Sequence, residues 1–291
     1  MRVVALLASY NEELVIKACF ETFFAHGVEV YLIDNESSDR TVEIAREYAG
    51  KGLIGLETFP RHGSYQWEPI LRRKEELTQE INSDWFIHAD PDELRLPPPA
   101  YPTLSAALTE VDRAGYNAVN FKNFLFLPTV ESPDHEHEDF PKTMRWYRYM
   151  EPSYPNQIKA WKQPPRSFAK RVVSGLLGIK ASQSRISLAA TGGHKVSFDG
   201  LRLFPTDFIM KHYQVLSLRH AVRKYVQKVY DPGEVDRGWH GWKAQAAEHK
   251  LRLPYQSEMR EFTSNEALDT SEPIVRTLLV EPLPPSALKG Q

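Results

Sequence analysis

Short apolar runs alternate with helical patterns through the first 127 residues, and this alternation limits the fold more than any other feature. The apolar runs cover residues 3–8, 28–33, 54–58, 85–89 and 118–127. Between them, apolar spacing predicts helices at 12–23, from 39 or 40, at 67–81 and at 104–114. Strands that alternate with helices in this way form a parallel sheet covered on both faces. The chain is therefore predicted to adopt an α/β fold with a mostly parallel sheet flanked by helices.

Polar residues follow three of the predicted strands, and the strand at 85–89 runs directly into Asp90-Pro91-Asp92-Glu93. The carboxyl ends of parallel strands meet at one edge of a sheet, where ligands of such folds bind. We therefore expect Ser9-Tyr10-Asn11, Asp34 and the acidic cluster to converge there. Clustered carboxylates are costly unless a cation or water compensates them. The cluster predicts a divalent metal site; the alternative is a solvated acidic loop before the prolines at 97–99.

The composition is that of an ordinary soluble protein and excludes several classes. The 291 residues are 42% hydrophobic and 25% charged, with a net charge of −2, which gives no general signal for nucleic acid. A single cysteine, Cys19, rules out an internal disulfide and a cysteine-based zinc site. The first apolar run is too short for a signal peptide, and no run reaches the roughly 20 residues that span a bilayer. The expected location is cytoplasmic.

The pattern changes after about residue 128, where prolines become frequent and the alternation weakens. Strands are predicted at 168–173 and 208–213, and a basic amphipathic helix at 218–230. We divide the chain into an α/β half (1–130), a loop-rich half of the same domain (131–215) and a helical C-terminal extension (216–291).

Three segments of the first half resemble the signatures of family 2 glycosyltransferases with the GT-A fold, in a bacterial branch. They are Ala8-Ser9-Tyr10-Asn11-Glu12-Glu13, Ile33-Asp34-Asn35-Glu36-Ser37-Ser38-Asp39-Arg40-Thr41 and His88-Ala89-Asp90-Pro91-Asp92-Glu93. The second segment departs from the family in reading Asp-Asn where many relatives read Asp-Asp. The later Lys211-His212-Tyr213, with Ser217 and the basic helix, is similar to the C-terminal part of that branch. Together these segments imply a GT-A-like α/β sheet.

The resemblance implies a nucleotide site at the edge of the sheet. Ser9, Tyr10, Asn11 and Glu12 would contact the nucleoside, although the same residues also suit a strand-to-helix turn, with Asn11 as a helix N-cap. Asp34 would accept a hydrogen bond from the N3–H of uracil, as a carboxylate at a strand end can. The alternative is that Asp34 caps the next helix, a role for which Asp39 is better placed.

The resemblance also implies a phosphate and metal site. One of the adjacent arginines Arg72 and Arg73 would bind the diphosphate, and we select Arg73. The alternative is that both belong to a solvated basic face. Asp90 would contact the ribose or the metal, and Asp92 would bind the metal, either Mn²⁺ or Mg²⁺. His212 would add a further ligand, which would favour Mn²⁺, unless it is structural.

In relatives the general base is an Asp or Glu after the fifth strand region. We select Asp139, with Glu138 second, because they precede an apolar aromatic segment that could shield the site. The other acids in this region are Glu131, Asp134 and Glu136, and the alternative for most of the five is a hydrated loop. A further alternative is that His135 and His137 form a second metal site with these acids.

His194 and Trp146 are the candidates for binding the acceptor, since aromatic rings bind sugar faces but also form ordinary cores. The basic helix at 218–230 could lie on an anionic membrane surface, at the inner face of the membrane, or be a solvated face of a packed helix.

Taken together, the residues and the resemblance imply a metal-dependent, inverting glycosyltransferase of hexosyltransferase type with a DXD motif. Residues 1–130 would be its nucleotide-sugar-binding half and residues 131–215 its acceptor-binding half. It would move a sugar from a nucleotide donor, probably a UDP-sugar, to a glycan or other hydroxyl acceptor. A nucleotidyltransferase is one alternative, although such enzymes usually carry a glycine-rich phosphate loop after the first strand and Ser9-Tyr10-Asn11-Glu12 has no glycine. A non-catalytic nucleotide-binding module is the other.

Overall fold

A computed structural model of the chain describes residues 1–151, 157–164, 186–246 and 250–281. The strands in this part are β1 (Val3–Ser9), β2 (Glu29–Asp34), β3 (Leu53–Thr58), β4 (Trp85–Ala89), β5 (Glu93–Leu96), β6 (Ala118–Phe126), β7 (Trp146–Met150), β8 (Ile158–Lys162), β9 (Phe208–Tyr213) and β10 (Arg260–Glu261). The helices are α1 (Ile16–Ala25), α2 (Thr41–Arg46), α3 (Trp67–Glu80), α4 (Leu104–Arg113), α5 (Phe140–Thr143), α6 (Leu218–Ala221) and α7 (Pro232–Asp236).

The strands form one mixed sheet in the order β10-β7-β6-β8-β4-β1-β2-β3, with β9 beside β6 and β5 beside β9. Strands β3, β2, β1 and β4 are parallel, as the alternating pattern predicts. Strand β8 enters antiparallel between β4 and β6 and extends the sheet. The predicted α/β class with its flanking helices is confirmed.

Strands β1 and β4 are buried along their whole length, because helices cover both faces of the sheet. On one face Leu7 of β1 packs with Phe20 and Phe23 of α1. On the other face Leu6 packs with Leu71 of α3. Successive side chains of a strand point to opposite faces, so one continuous apolar run serves both layers.

Strands β5 and β9 bring distant parts of the sequence together below the acidic cluster. They pair antiparallel with Glu93 opposite His212, and the backbone N–H of Tyr213 donates to the carbonyl of Asp92 at 2.8 Å. This register places His212 beside Asp92, although 120 residues separate them in sequence. The sequence analysis missed β5, because the strand follows the acidic cluster directly and is only four residues long.

Some predicted elements differ from the structure. Asn11 does not cap α1: the helix begins at Ile16, and Asn11 has a left-handed φ of 55° and accepts a hydrogen bond from Ser38 N at 2.8 Å. The predicted helix at 218–230 is shorter: α6 continues as a π-helical turn at Val222–Val226 and ends there. The strand predicted at 168–173 lies outside the described residues.

The C-terminal extension consists of short helical turns and returns to the sheet. It contains α6, the π-helical turn, α7 and 3-10 turns at Gly241–Gln245 and Gln256–Glu258. Strand β10, Arg260–Glu261, then pairs antiparallel with β7, so this part of the extension joins the same sheet. The proposed division at 130 and 215 stays a prediction. Within the described ranges, no helix combines the length and the apolar character that a bilayer crossing requires.

Candidate functional site

A cavity of about 640 Å³ opens at the carboxyl edge of β1 and β4. Ser9 and Tyr10 from the end of β1 line one side, and Asp90 and Asp92 after β4 line the floor. The predicted convergence of the first and third polar clusters is therefore present. The opposite wall comes from the C-terminal extension and includes Lys224 among other residues.

Asp92 is a carboxylate of the cavity that two basic side chains contact. Its Oδ2 accepts a hydrogen bond from Lys224 Nζ at 2.9 Å and lies 3.3 Å from His212 Nε2. Burial acts to raise the pKa of this carboxyl, but Lys224 and His212 hold it well below its usual value. Asp92 is therefore ionised at neutral pH and carries its charge in a largely dry place.

Glu12 faces the same ammonium from the other side, with Lys224 Nζ at 3.1 Å from its Oε1. Burial raises the pKa of Glu12, and the neighbouring Lys224 opposes this shift. Burial also acts to lower the pKa of Lys224, but Asp92 and Glu12 hold it well above its usual value. A cation held between two carboxylates thus forms the centre of the cavity.

The residues predicted to bind a metal fit that role in part. Asp92 and His212 are adjacent, and His212 Nδ1 is buried with no hydrogen-bond partner in the described part of the chain. Asp90 is half-buried, and its Oδ1 lies 4.0 Å from Lys74 Nζ. Among the described residues, no group of three or more His, Cys, Asp or Glu side chains could hold a metal. Mg²⁺ commonly binds through one or two carboxylates plus substrate phosphates, so this pair fits an ion that a diphosphate completes.

Lys74, rather than Arg73, is the basic residue of α3 that turns towards the end of β4, beneath the cavity lining. Its fully buried ammonium donates to the carbonyl of Ala89 at 3.0 Å and lies 3.0 Å from His88 Nδ1. Burial lowers the pKa of Lys74 to about 8. Arg73 instead pairs with Glu57 at 2.8 Å and Glu80 at 2.6 Å, outside the cavity lining.

The helical period could have identified Lys74 from sequence. The buried face of α3 contains Ile70, Leu71, Lys74, Glu75, Leu77 and Thr78, which recur at three- and four-residue intervals. Arg72 and Arg73 fall on the outer side of that pattern, and Arg72 is exposed and paired with Glu68. The selection of Arg73 for the diphosphate is corrected by this placement.

Asp139 and Glu138, the predicted bases, do not line the cavity. Their side chains are 65% and 78% exposed and form ion pairs with Lys142 and Lys17, each at 2.6 Å. Only Glu136 of this acidic segment turns inward, where it pairs with Arg223 at 2.7 Å. Asp139 and Glu138 were selected by their position in the sequence alone. The loop that carries them packs through Glu136 against Arg219 and Arg223, on the side away from the cavity.

The predicted nucleoside residues divide into two groups. Ser9, Tyr10 and Glu12 line the cavity, whereas Asn11 and Asp34 do not. Asp34 is buried beside the lining, where its carboxylate accepts hydrogen bonds from Ser9 Oγ at 3.3 Å and Ser37 N at 3.0 Å. These bonds order the loop after β2 and leave acceptor capacity on the carboxylate.

Arg61 is a neighbour of the nucleoside residues that the sequence analysis missed. Its guanidinium lies 3.5 Å from the centre of the Tyr10 ring and donates to Asn35 Oδ1 at 3.2 Å. A guanidinium stacked on an aromatic ring at a strand end offers a flat surface of the kind that a base can use.

His194 and Trp146, the predicted acceptor residues, lie in different places. His194 lines the cavity after the Gly192-Gly193 turn, and burial lowers its pKa to about 4. A Cβ on Gly193, whose φ is +80°, would lie 2.9 Å from His88 Nε2, so this close approach requires glycine. Trp146 packs in a separate cluster with Leu125 and is not part of the lining.

The C-terminal wall carries two further lysines. Lys228 Nζ lies 4.0 Å from the centre of the Tyr65 ring, and burial lowers its pKa to about 7. Lys243 lines the cavity nearby, and burial lowers its pKa as well. Neither ammonium forms an ion pair with a carboxylate within 4.0 Å among the described residues, so both are available to an anionic ligand.

Glu234 of α7 fixes this wall to the α/β half. Its buried carboxylate accepts hydrogen bonds from the backbone N–H groups of Trp67 at 2.8 Å and Glu68 at 2.7 Å. These are the first N–H groups of α3, which a carboxylate at a helix N-terminus satisfies. His240 Nε2 also lies 2.8 Å from Glu234. The wall is thereby held in place over the cavity.

The basic residues of the predicted helix at 218–230 divide between the cavity and the surface. Lys224 and Lys228 line the cavity, and Arg219 and Arg223 pair with Glu136. The outward side chains include Leu218, Val222, Val226 and Val229, each between 36% and 59% exposed. Two of the four basic residues thus line the cavity, while Arg219 and Arg223, whose side chains are 66% and 42% exposed, lie at the surface against the acidic loop. A membrane contact of this segment stays a prediction.

Comparisons with known proteins agree with this picture over part of the chain. Residues 5–63 match the model of glycosyl transferase family 2. A comparison with curated proteins gave no match.

Solved structures similar to this chain include S. aureus TarS 1–349 in complex with UDP-GlcNAc (12% identity, 74% of this chain, 59% of that chain, TM-score 0.37). They also include the mannosyltransferase PcManGT from Pyrobaculum calidifontis in complex with GDP-Man and Mn²⁺ (18% identity, 87% of this chain, 66% of that chain, TM-score 0.40). A third is glucosyl-3-phosphoglycerate synthase from Mycobacterium tuberculosis with Mn²⁺, UDP and glucosyl-3-phosphoglycerate (19% identity, 43% of this chain, 44% of that chain, TM-score 0.29).

The chain spans 37% to 61% of the length of the TarS chains that it matches. The family model covers β1, β2 and β3 with the loops between them, which include Ser9, Tyr10 and Asp34. The resemblance to family 2 glycosyltransferases predicted from the sequence is thus confirmed for residues 5–63, within a sheet of the predicted α/β class.

Proposed function

We propose that this protein transfers a sugar from a nucleotide diphosphate donor, in the first place a UDP-sugar, to a hydroxyl group of a glycan or other acceptor. One observation carries the proposal. A cavity of about 640 Å³ at the carboxyl edge of β1 and β4 combines the family 2 segment with Asp92, His212 and a wall of lysines. This volume lies within the range of about 300–1,000 Å³ that small-molecule sites occupy.

The nucleoside lies in this proposal against Ser9 and Tyr10, with Arg61 beside the ring of Tyr10. Asp34 accepts the N3–H of uracil with the capacity that Ser9 and Ser37 leave on its carboxylate. The support for UDP is the resemblance of the three sequence segments. The similar structures contain UDP-GlcNAc, UDP or GDP-Man.

A divalent ion, Mn²⁺ or Mg²⁺, is part of the proposal, with Asp92 and His212 as its protein ligands and Asp90 beside it. The pair supports this role because an ionised carboxylate and an imidazole lie 3.3 Å apart. When bound, such an ion neutralises the charge that develops on the departing diphosphate.

The protein's own residues would orient the donor and exclude water. Lys228 and Lys243 face the cavity without carboxylate partners, which suits an anionic leaving group. The proposed reaction is a single displacement with inversion at the anomeric carbon. It requires a proton acceptor near the acceptor hydroxyl, and Asp139 and Glu138 are too exposed and too remote from the lining for this role. Other groups that line the cavity, among them His194 and Asp90, replace them as candidates.

A non-catalytic nucleotide-binding module remains the second candidate, and one observation favours it. The carboxylates of the cavity are paired with cations: Glu12 and Asp92 with Lys224, and Glu93 with Lys159 at 3.0 Å. Asp92 and Glu93 are poor proton acceptors, since these cations lower the pKa of each carboxyl.

Release of UDP from a panel of UDP-sugars and of GDP from GDP-mannose, with Mn²⁺ and with a chelator, separates the two functions. A transferase releases the nucleoside diphosphate slowly from its donor by hydrolysis and faster with an acceptor. Binding of UDP or GDP without release from any donor would leave the binding module. Absence of binding of both UDP and GDP would reject both functions.

A further inference from the structure

Two lysines one helical turn apart face the cavity from the wall opposite β4. Lys224 lies in the π-helical turn Val222–Val226, and Lys228 follows its end. Residues four apart share a helix face, and both line the cavity, whereas Val222 and Val226 on the other side are exposed. Single π-helical turns within helices are frequent at functional sites. This segment thus brings two ammonium groups to one place.

The surroundings of Lys224 Nζ are those of a cation site. The ammonium lies 2.9 Å from Asp92 Oδ2 and 3.1 and 3.2 Å from the two oxygens of Glu12. The side chains of Lys224, Glu12 and Asp92 are only 11%, 9% and 9% exposed. Two carboxylates in such a place require a positive charge between them, and the chain supplies its own.

A divalent ion bound to Asp92 would need the same oxygen. Metal–oxygen distances are about 2.0–2.6 Å, so the ion would enter the space next to Oδ2 that the ammonium now occupies. Two cations at this spacing repel each other strongly in a poorly hydrated place. The metal and Lys224 therefore compete for Asp92.

We propose that Lys224 is the resident counter-ion of Asp92 in the donor-free protein, that a divalent ion reaches Asp92 by displacing this ammonium, and that the displaced ammonium joins Lys228 on the donor diphosphate. The identity of the diphosphate rests on the proposed function. The competition at Asp92 does not, because it is measured with the metal ion alone.

The substitution Lys224→Met should strengthen the binding of Mn²⁺ and weaken the metal-free binding of UDP-glucose. Without the ammonium, Glu12 and Asp92 lack a counter-charge, so Mn²⁺ alone binds tighter than in the wild type, by about tenfold or more. Without metal, the Glu12 and Asp92 carboxylates of Lys224→Met lack a counter-charge and repel the diphosphate of UDP-glucose, which therefore binds about tenfold more weakly. A lysine that only held the fold together would lower both affinities together.

The experiment titrates Mn²⁺ by electron paramagnetic resonance and UDP-glucose in a chelator by calorimetry. It compares wild type, Lys224→Met and the control Lys17→Met, which removes a surface ion pair with Glu138. We expect tighter Mn²⁺ and weaker UDP-glucose binding for Lys224→Met and wild-type values for the control. Mn²⁺ binding by Lys224→Met that is no tighter than wild type would overturn the proposal.

A measurement on the unmutated protein covers the case in which Lys224→Met does not fold. Side-chain ammonium NMR of lysines follows the Nζ signal of Lys224, assigned by its absence in Lys224→Arg, during titration with Mg²⁺. Displacement predicts a shift of this signal at saturating Mg²⁺, and an unchanged signal would contradict it. If the signal shifts but no nucleotide sugar is consumed, the proposed transfer fails and the competition stands.

Discussion

Lys224 Nζ lies 2.9 Å from Oδ2 of Asp92, across the cavity between the end of β4 and the C-terminal extension. The contact joins the acidic cluster of the α/β half to a helix 132 residues later in the chain. An ion pair at this depth holds the two walls together and sets the charge that an incoming ligand meets.

The exposed acids of the loop before α5 should have little effect on transfer. Asp139→Asn and Glu138→Gln remove only the charge, and both side chains lie outside the cavity lining with surface lysines as partners. We expect transfer rates within about twofold of wild type, as for surface substitutions away from a site. A loss of more than about 100-fold for either variant, the range of an essential general base, would restore it as the base.

Substitutions at His194 and Trp146 should have different effects on the kinetics with the acceptor. His194→Ala removes a cavity side chain and should raise KM for the acceptor or lower kcat, whereas KM for the donor changes little. Trp146 packs in the cluster with Leu125, so Trp146→Phe should lower stability without changing the KM for either substrate. Steady-state kinetics with both substrates varied provides the check. Equal effects of both variants on acceptor KM would contradict the assignment.

Glu234→Gln should weaken the attachment of the C-terminal wall. The carboxylate accepts the first N–H groups of α3, and the amide that replaces it loses the charge that favours this position. We expect a loss of about 1–2 kcal/mol in the free energy of unfolding, measured by denaturant titration. The control is Glu110→Gln, an exposed pair with Arg113 on α4, which should change it by less than about 0.5 kcal/mol.

Lys228 should make metal-free donor binding depend on pH. Burial lowers its pKa to about 7, with Glu12 acting in the opposite direction and Lys224, Lys243 and Arg61 adding to the lowering. Its charge is present below this pH and lost above it, so UDP-glucose should bind up to about tenfold more weakly at pH 8 than at pH 6. UDP-glucose is chosen because its diphosphate does not titrate in this range. Calorimetry on Lys228→Met should give a flat profile, and a slope equal to wild type would assign the effect to another group.

The sequence predicts the parallel half of the fold closely because its strands are buried on both faces and appear as continuous apolar runs. β4 was predicted at its observed bounds, Trp85–Ala89, and with it the acidic cluster at the sheet edge. The same logic missed β5, since a four-residue strand beginning at Glu93 has no apolar run to identify it.

The site was harder to predict because its second wall depends on tertiary contacts. His212 reaches Asp92 through the pairing of β5 with β9, and the resemblance to the family suggested it. Nothing in the local pattern indicated that Lys224 turns towards Glu12, since a basic helix face is usually solvated. Lys74 could have been found, because it repeats the period of Ile70 and Leu71 on the buried face of α3.

The most direct test of the account is a calorimetric titration of UDP into wild type and Asp92→Asn, with Mn²⁺ and with a chelator. The account predicts that Mn²⁺ strengthens UDP binding to wild type by about tenfold or more and has no such effect on Asp92→Asn, because the ion needs this carboxylate. Both proteins should remain folded by circular dichroism. Equal strengthening by Mn²⁺ in both proteins, or no UDP binding to the wild type, would contradict the central claim that this cavity binds a nucleotide diphosphate at Asp92.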